Sequence, residues 1–286
     1  MKELPLIIID GVDYIYPNGT AALKNISLTI HKGEMIAIMG KNGAGKTTLI
    51  RTLNGLIRPT AGDIFINYEN INMKSIAELS QRVGLIFQNP SHQLFANSVE
   101  EEIKFSLKNL YQDNEELQLK TDYVLKSFNL EKYRERSPLN LSGGESKKLA
   151  IASIMCRDPE VLVFDEPTLG QDANEIESFI KLIDKEKKKE KTVIIITHNV
   201  EFAFEFIPRT ILMAEGQIIA DGPTLNILSS NFLTERSSLV LPQTRQLSLA
   251  LSKAGFQELT NITSRHEITE YLMKILENKI TSIKEE

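Results

Sequence analysis

The 286-residue sequence has little cysteine and no long apolar segment. Cys156 is its single cysteine, which excludes an internal disulfide and is typical of a reducing compartment. A membrane-spanning helix needs about 20 consecutive apolar residues, whereas the longest apolar runs, at 6–9 and 193–197, have the length of strands. We therefore expect any membrane role to come through a partner protein.

The sequence also lacks an excess of basic residues and the features of an export signal. The 33 Lys and Arg residues are outnumbered by 38 Asp and Glu, which gives a formal net charge of -5. Nucleic-acid-binding proteins usually carry an excess of basic residues, which this chain lacks, so we expect no nucleic-acid partner. Residues 1–5 lack the long apolar core and small-residue cleavage site of a signal peptide, so we expect no export signal there.

Short apolar runs that alternate with helical segments predict a mixed α/β fold. Continuously apolar runs indicate strands that are buried on both faces of a parallel sheet, and they lie at 35–39, 83–87, 161–164 and 193–197. The region 7–66 is otherwise rich in short β-runs. The runs 211–214 and 217–220 flank Glu215-Gly216 and predict a closing hairpin.

Two segments are predicted to be helical. The segment 97–129 is amphipathic, because its apolar side chains recur at helical spacing, at Val99, Ile103, Leu107 and Leu110. Beyond Leu225 the pattern turns helical again, with an interruption at Pro242. No motif of the earlier region recurs there, so we predict a small C-terminal domain.

A glycine-rich loop predicts a phosphate site. The pattern G-x-x-x-x-G-K-[ST] is matched by Gly40, Lys41, Asn42, Gly43, Ala44, Gly45, Lys46 and Thr47. A predicted strand precedes the loop and a predicted helix, 46–56, follows it, which is the context that supports the motif. Backbone N–H groups would surround the phosphates of ATP, with Lys46 on the β- and γ-phosphates and Thr47 on Mg²⁺. The alternative is a glycine-rich turn with an accidental lysine.

Asp165 and Glu166 begin where the apolar run 161–164 ends. Open α/β sheets bind ligands at the carboxyl ends of their strands. We therefore expect Asp165 to be a Mg²⁺-side carboxylate and Glu166 to polarise an attacking water. The alternative, a pair of helix-capping residues before Pro167, would leave Lys46 and Thr47 without a partner.

His198 and Gln88 also follow strand-like runs. A lone histidine is more often structural than catalytic, but this position at a third strand end favours a contact with the γ-phosphate. Gln88 is a candidate for orienting the water or contacting Mg²⁺.

The turn Ser142-Gly143-Gly144-Glu145 has two interpretations. The pattern S-x-x-E before an apolar stretch is a capping box, and residues 145–156 are predicted to be helical. Capping leaves the two glycines unexplained, because glycine costs conformational entropy at a helix start. They are explained if a phosphate approaches the backbone closely.

These motifs, in this order, resemble those of an ABC-type ATPase over about residues 7–224. The resemblance identifies Gly40–Thr48 as the Walker A loop, Gln88 as the Q-loop, Leu141–Glu145 as the signature, Val161–Glu166 as the Walker B motif, Leu169–Asp172 as the D-loop and His198 as the H-loop. Thr48 then belongs to the ATP site, and Tyr16 matches the aromatic residue that stacks on adenine. The resemblance implies an α/β P-loop NTPase fold with an antiparallel β subdomain and a helical subdomain.

Within that superfamily, the chain resembles the ATPases of energy-coupling factor importers for vitamins or transition-metal ions. The features that carry this resemblance are Tyr14–Gly19, Phe87–Phe95 running into Ser98–Ile103, and a tail from Leu241-Pro242 that includes 247–255 and 263–272. It implies an ABC ATPase domain at 1–228, with its helical subdomain at about 89–158. Residues 229–286 would form the small C-terminal domain, for dimerisation.

The same resemblance implies partners. Two subunits, in a homo- or heterodimer, would sandwich two ATP molecules, with the Lys46 loop of one chain facing the Ser142–Gly144 turn and Asp172 of the other. The segment after Gln88 would dock an energy-coupling transmembrane subunit that works with a substrate-binding membrane subunit, at the cytoplasmic face of the membrane. Leu94 and Phe95 are candidates for this contact, with core packing as the alternative.

Three alternatives stay open at this point. The chain could serve another type of ABC transporter, act as a soluble ABC ATPase outside transport, or bind nucleotide without hydrolysing it. Two residues also depart from the commoner pattern: Glu145 stands where glutamine is usual in the signature, and Gln171 where leucine is usual in the D-loop. Neither the transported solute nor the choice between homodimer and heterodimer can be derived from these residues.

Overall fold

The computed structural model describes residues 4–262 and 265–285. The expectation of no export signal therefore lies partly outside the described residues, since it concerns Met1–Glu3. So does the part of the tail resemblance that falls on Thr263 and Ser264.

The larger of the two sheets carries the predicted site. It has six strands in the order β10-β9-β3-β8-β7-β6. The five strands from β9 to β6 are parallel, and β10 pairs antiparallel with β9. Their bounds are β3 Met35–Met39, β6 Val83–Ile86, β7 Val161–Asp165, β8 Thr192–Ile196, β9 Arg209–Ala214 and β10 Gln217–Pro223. The predicted parallel core and closing hairpin are confirmed.

Successive side chains of the central strands point to opposite faces of the sheet, which divides the apolar core into two layers. In β3, Ile36 and Ile38 face one apolar cluster, while Ala37 and Met39 face the other. Both clusters are buried, which explains why these strands are apolar without interruption. The sheet is therefore covered on both faces, and ligands can approach it only at an edge.

A smaller antiparallel sheet covers one of these faces. Its strand order is β2-β1-β4-β5, with β1 at Pro5–Ile15, β2 at Ala21–His31, β4 at Ala61–Ile66 and β5 at Glu69–Asn70. Side chains such as Ile7 and Ile26 pack in one cluster with Ile36 and the helix α1 (Lys46–Leu53). This sheet is the antiparallel β subdomain.

A group of helices forms a separate cluster beside the large sheet. It contains α3 Val99–Leu107, α4 Asn114–Ser127 and α5 Gly143–Met155, whose apolar side chains pack together. The short helix α2 (Ile76–Arg82) precedes β6. This is the helical subdomain, and α5 joins it to the large sheet through Ile154, which packs in the sheet's own core.

The helix boundaries predicted at 97–129 and 46–56 were wrong. The segment 97–129 is two helices, because the side chain of Asp113 accepts the backbone N–H of Glu116 and starts α4 there. Leu110 therefore lies in the connection and is exposed, while Val99, Ile103 and Leu107 are buried as expected. The helix predicted at 46–56 ends at Leu53, and Gly55 follows with a φ of 74°.

The opposite face of the large sheet carries α6 (Ala173–Lys187), α7 (Val200–Phe206) and α8 (Thr224–Leu228). The helices of the C-terminal region are α9 Asn231–Arg236, α10 Gln243–Lys253 and α11 Arg265–Glu285. Leu233 and Leu239 pack against the core beneath α7, and the hydroxyl of Thr244 donates to Glu201 on α7 at 3.1 Å. We propose that 229–286 is a domain docked on the main body.

No helix in the described part of the chain combines the length and the apolar character needed to cross a bilayer. The longest helix, α11, has 21 residues and includes charged side chains such as Glu267, Glu270 and Lys274.

Arg209 joins the two sheets, which gives a stability prediction. Its guanidinium donates to both oxygens of Asp221 on β10, to Glu34 before β3 at 2.8 Å and to the carbonyl of Thr29 on β2 at 3.0 Å. The side chain is 22% exposed. Arg209→Leu should lower the free energy of unfolding by about 1.5–3 kcal/mol, since Asp221, Glu34 and the Thr29 carbonyl lose a charged donor.

Urea unfolding followed by circular dichroism measures this effect. Lys32→Ala removes one solvent-exposed ion pair, with Glu190, and is the control; it should change the free energy of unfolding by less than about 0.5 kcal/mol. Equal effects of the two variants would contradict the role given to Arg209.

Candidate functional site

The carboxyl ends of β3, β6, β7 and β8 meet at one edge of the large sheet. A cavity of about 360 Å³ opens there. It is lined by side chains of the glycine loop and of the strand ends: Tyr16, Asn42, Gly43, Gly45, Lys46, Thr47, Thr48, Gln88, Asp165 and Glu166. Residues up to 150 positions apart in the sequence are thus brought together, and most of the residues expected to bind nucleotide line this cavity.

The glycine loop is fixed by close backbone packing. Gly40 has a φ of 141°, and a Cβ atom there would lie 2.1 Å from the carbonyl oxygen of Met213, so that no other residue fits. The Lys46 ammonium donates to the carbonyls of Gly40 at 2.6 Å and Lys41 at 3.0 Å. Gly45 caps α1 without a side-chain bond, which leaves first-turn N–H groups for an anion.

The charges in the cavity perturb each other. Burial lowers the pKa of Lys46, although the carboxylates of Glu166 and Asp165 oppose this shift. Burial also raises the pKa of Asp165, and the neighbouring Glu166 raises it further, while Arg51 and Lys46 lower it. An approaching polyphosphate would meet one partly buried cation and two carboxylates, so its binding requires charge compensation.

Thr47 and Asp165 fit a magnesium ion. The Thr47 hydroxyl donates to Oδ2 of Asp165 at 3.5 Å, and the Gln88 side chain lines the same cavity. These are oxygen donors of the kind that Mg²⁺ prefers, and in phosphate sites it is held by one or two carboxylates plus the phosphates. Among the described residues, no cluster of three His, Cys, Asp or Glu could hold a metal alone. The residues therefore fit a metal that arrives with a nucleotide.

Glu166, which lines the cavity, forms a pair with His198. Nδ1 of His198 lies 2.7 Å from Oε1 of Glu166, and the Glu166 backbone N–H donates to the Ile196 carbonyl at 2.9 Å. Glu166 has a φ of 51°, a left-handed conformation that costs energy for a non-glycine residue and that often marks functional sites. The capping alternative for Asp165-Glu166 is wrong, because the next helix, α6, begins at Ala173 with Asp172 as its N-cap.

Tyr16 closes the cavity on the side of the small sheet. Its hydroxyl lies 3.0 Å from the hydroxyl of Thr48, and its ring packs edge-on against Tyr14, with centroids 4.9 Å apart.

The signature turn caps α5. The Ser142 hydroxyl accepts the Glu145 N–H at 3.3 Å, and Oε2 of Glu145 accepts the Ser142 N–H at 2.8 Å, which is a complete capping box. The helix begins at Gly143, two residues earlier than expected. A Cβ atom on Gly143 would meet nothing within 4 Å, so the chain itself does not require glycine there.

The Glu145 carboxylate is held strongly in its charged form. Hydrogen bonds from the Tyr133 hydroxyl and from the backbone and hydroxyl of Ser142 lower its pKa to about 2. The negative charge of Glu145 is therefore held by hydrogen bonds within the helical subdomain, at the start of α5.

The signature turn does not reach the Lys46 cavity within one chain. Ser142, Gly144 and Glu145 line a different cavity, of about 630 Å³, together with Gln171 and Asp172 at the start of α6. The Oε1 atom of Gln171 is buried there and has no hydrogen-bond partner among the described residues. Asp172 accepts the Glu175 N–H at 2.9 Å and so caps α6.

Two residues near these cavities carry no sequence signal. Arg51, one turn beyond Thr47 on α1, lowers the pKa of Asp165 across the sheet edge. Lys147 on α5 donates to the carbonyl of Pro167, directly after Glu166. Both contacts join segments that are more than 15 residues apart in the sequence, and no short pattern could have indicated them.

The capping box of α5 gives a second prediction. Glu145→Ala removes the acceptor of the Ser142 N–H, so this amide should exchange its hydrogen faster, while Glu145→Gln keeps an acceptor oxygen and should stay close to wild type. Amide-resolved hydrogen exchange measures this. Glu78→Ala makes the same change in the capping box of α2, at Ser75, and should leave α5 unaffected. Unchanged exchange at Ser142 in Glu145→Ala would contradict the bond.

Comparisons with known proteins identify the family of the chain. The family model of the ABC transporter matches residues 23–169. The energy-coupling factor transporter ATP-binding protein EcfA of Methanothermobacter thermautotrophicus is 36% identical over 272 residues, which cover 93% of this chain and 88% of that protein. Two ABC transporter ATP-binding proteins, from Methanosarcina mazei and Methanosarcina acetivorans, are 42% and 41% identical, but the chain spans only 43% and 41% of their lengths.

Solved structures confirm the predicted fold. The structure of cbiO1 from Clostridium perfringens, part of the ABC transporter complex cbiONQ, matches with a TM-score of 0.71 and 30% identity over 89% of this chain and 98% of that one. The dimeric post-hydrolysis state of the ATP-binding cassette MJ0796, bound to ADP and Pi, matches with a TM-score of 0.69 and 28% identity over 76% and 98%. The chain therefore belongs to the ABC transporter family and, within it, to the energy-coupling factor transporter ATP-binding proteins.

Proposed function

We propose that this protein is the ATP-hydrolysing subunit that energises a membrane importer of the energy-coupling factor type, for a vitamin or a transition-metal ion. The observation that carries the proposal is the meeting of three groups at one sheet edge. These are the Lys46 loop, the Thr47–Asp165 pair and the Glu166–His198 pair. Together they supply the phosphate cradle, the metal ligands and the base that ATP hydrolysis requires.

Lys46 and the glycine loop bind the phosphates of ATP. The loop carbonyls of Gly40 and Lys41 that now accept the ammonium keep it near the cavity, and the β- and γ-phosphates would replace them as partners. Thr47, Asp165 and Gln88 would hold Mg²⁺, which when bound neutralises charge that develops on the phosphates. Tyr16, Asn42, Gly43, Ala44, Gly45 and Thr48 complete the ATP-binding surface.

Glu166 and His198 act on the attacking water. The Glu166 carboxylate accepts a proton from the water, and its hydrogen bond to Nδ1 of His198 fixes the direction of the carboxylate. Nε2 of His198 is not used by this bond, and it would donate to the γ-phosphate when both ring nitrogens carry a proton. The Glu166 backbone is left-handed, and its side chain lines the cavity.

The separation of the two cavities supports a dimer. Because Ser142, Gly143 and Gly144 do not face this chain's own Lys46, we propose that they contact the ATP held by a second subunit. Glu145 would act there through its cap on α5, and Asp172 would lie at the contact between subunits. The open space above Gly143 supports this proposal, since a phosphate could approach the backbone there.

An exposed aromatic pair supports docking to membrane subunits. Phe95 and Phe105 are 65% and 58% exposed and pack edge to face, with centroids 4.7 Å apart. They line a cavity of about 250 Å³ between α2, α3 and α5. Leu94 is 8% exposed and belongs to the helical core, so only Phe95 of the two candidates is free to bind. We propose that an energy-coupling transmembrane subunit, which works with a substrate-binding membrane subunit, docks on this aromatic pair at the cytoplasmic face of the membrane.

Glu166→Gln tests the proposed hydrolysis. Glutamine keeps the shape of the side chain but cannot accept the proton, so ATP turnover should fall by at least about 100-fold. Binding should persist, and the variant should accumulate as an ATP-bound dimer in size-exclusion chromatography with ATP and Mg²⁺.

Glu177→Gln is the matched control, because Glu177 is an exposed residue of α6 that pairs with Lys181. Turnover by Glu177→Gln should equal that of the wild type. Wild-type turnover in Glu166→Gln would refute the role of Glu166.

Phe95→Asp tests the docking surface. A carboxylate in an apolar contact is costly to desolvate, so the variant should lose co-purification with the membrane subunits. Tyr123→Asp, at an exposed aromatic residue of α4 outside this cavity, should retain it. Retention of the membrane subunits by Phe95→Asp would locate the contact elsewhere.

A further inference from the structure

Lys147 connects the signature helix to the segment that carries Glu166. It is the fifth residue of α5, and its half-buried side chain crosses to the loop after β7. There the ammonium donates to the carbonyl oxygen of Pro167 at 2.5 Å. Burial lowers the pKa of Lys147, and the carboxylate of Glu175 at the start of α6 opposes that shift.

The Lys147 ammonium binds the turn 167–171, which makes few other hydrogen bonds to the rest of the protein. Before Pro167, the backbone of Glu166 is fixed to Ile196 on β8. After it, the turn is closed by two long local bonds, from the Leu169 N–H to Glu166 and from the Gln171 N–H to Thr168, both 3.3 Å. Of the hydrogen bonds that residues 167–171 make within the described chain, the one from Lys147 leads to another helix.

The same residue lies one turn beyond Ser142–Glu145. Because α5 is rigid from Gly143 onward, the position of the Lys147 side chain follows that of the signature turn. The ammonium therefore lies between two parts of the protein that the proposed function assigns to different ATP molecules. The signature turn contacts the ATP bound by the partner subunit, and Glu166 acts on the ATP bound by its own chain.

We propose that Lys147 is a positioning residue, which holds the Pro167 carbonyl, and through it Glu166, in a fixed place relative to the signature turn. The effect of Lys147 on catalysis rests on the proposed function, whereas its hydrogen bond to Pro167 and its effect on the turn 167–171 do not. Movement of α5 when two subunits close would be carried through Lys147 to the chain's own Glu166.

Lys147→Met keeps most of the side-chain volume and removes the donor. In ATP hydrolysis by the full chain, we expect kcat to fall about tenfold, because a displaced catalytic group loses its alignment. The KM for ATP should change less than about twofold, since Lys147 does not line the Lys46 cavity. Lys147→Arg retains a charged donor and should restore most of kcat.

Lys185→Met is the control, because Lys185 is an exposed lysine of α6 that lines neither the signature cavity nor the Lys46 cavity. It should leave kcat and KM unchanged. Amide hydrogen exchange without nucleotide is the second readout: the Leu169 and Gln171 amides should exchange faster in Lys147→Met, and the amides of α4 should not.

Wild-type kcat in Lys147→Met, or an equal loss in Lys147→Arg, would overturn the catalytic part of the proposal. Unchanged exchange at Leu169 and Gln171, or faster exchange throughout the chain, would overturn the structural part. If the wild-type protein hydrolyses no ATP, the proposed function itself fails, and the exchange measurement still decides whether Lys147 holds the turn.

Discussion

The burial of a parallel sheet on both faces is the constraint on which the rest of this structure depends. Strands β3, β6, β7 and β8 are apolar throughout because helices or the second sheet cover each face. Polar side chains are then confined to the strand ends. The parallel direction brings those ends to one edge, so that the groups at residues 40–48, 88, 165–166 and 198 converge there. Catalytic geometry is thus a consequence of how the core is buried.

Local motifs and strand ends could be predicted from the sequence, whereas contacts formed only by tertiary packing could not. Motifs that depend on local backbone geometry were predicted in place, such as the glycine loop, the strand-terminal Asp165-Glu166 and the capping box of Ser142. Contacts between distant segments that no motif carries, such as the bond from Lys147 to the Pro167 carbonyl, were not predicted. The Leu94-Phe95 pair shows this: both residues are apolar, and only tertiary packing buries the first and exposes the second. The break between α3 and α4 was missed because the apolar spacing continues across it to Leu110, whereas the N-cap at Asp113 starts a new helix.

The two departures from the usual family pattern lie at one cavity, beside the start of α6. Glu145 is satisfied by Tyr133 and Ser142, which holds its charge within the helical subdomain and lowers its pKa to about 2. Gln171 instead leaves a buried oxygen without a partner among the described residues. An unpaired buried acceptor is costly, whereas the Glu145 carboxylate is hydrogen-bonded. Lys147 lines the same cavity and links it to Glu166.

The central claim is that each ATP lies between the Lys46 loop of one chain and the signature turn of another. Cross-linking with a short bis-maleimide tests it most directly, with one subunit carrying Asn42→Cys and the other Asn140→Cys, at an exposed residue just before the signature turn that leaves Ser142–Gly144 intact. The native Cys156 should not interfere, because burial raises its pKa to about 12. The account predicts a cross-linked dimer that forms with Mg²⁺ and a non-hydrolysable ATP analogue and is absent without them. Failure of the two cysteines to cross-link between chains in the presence of the analogue would contradict it.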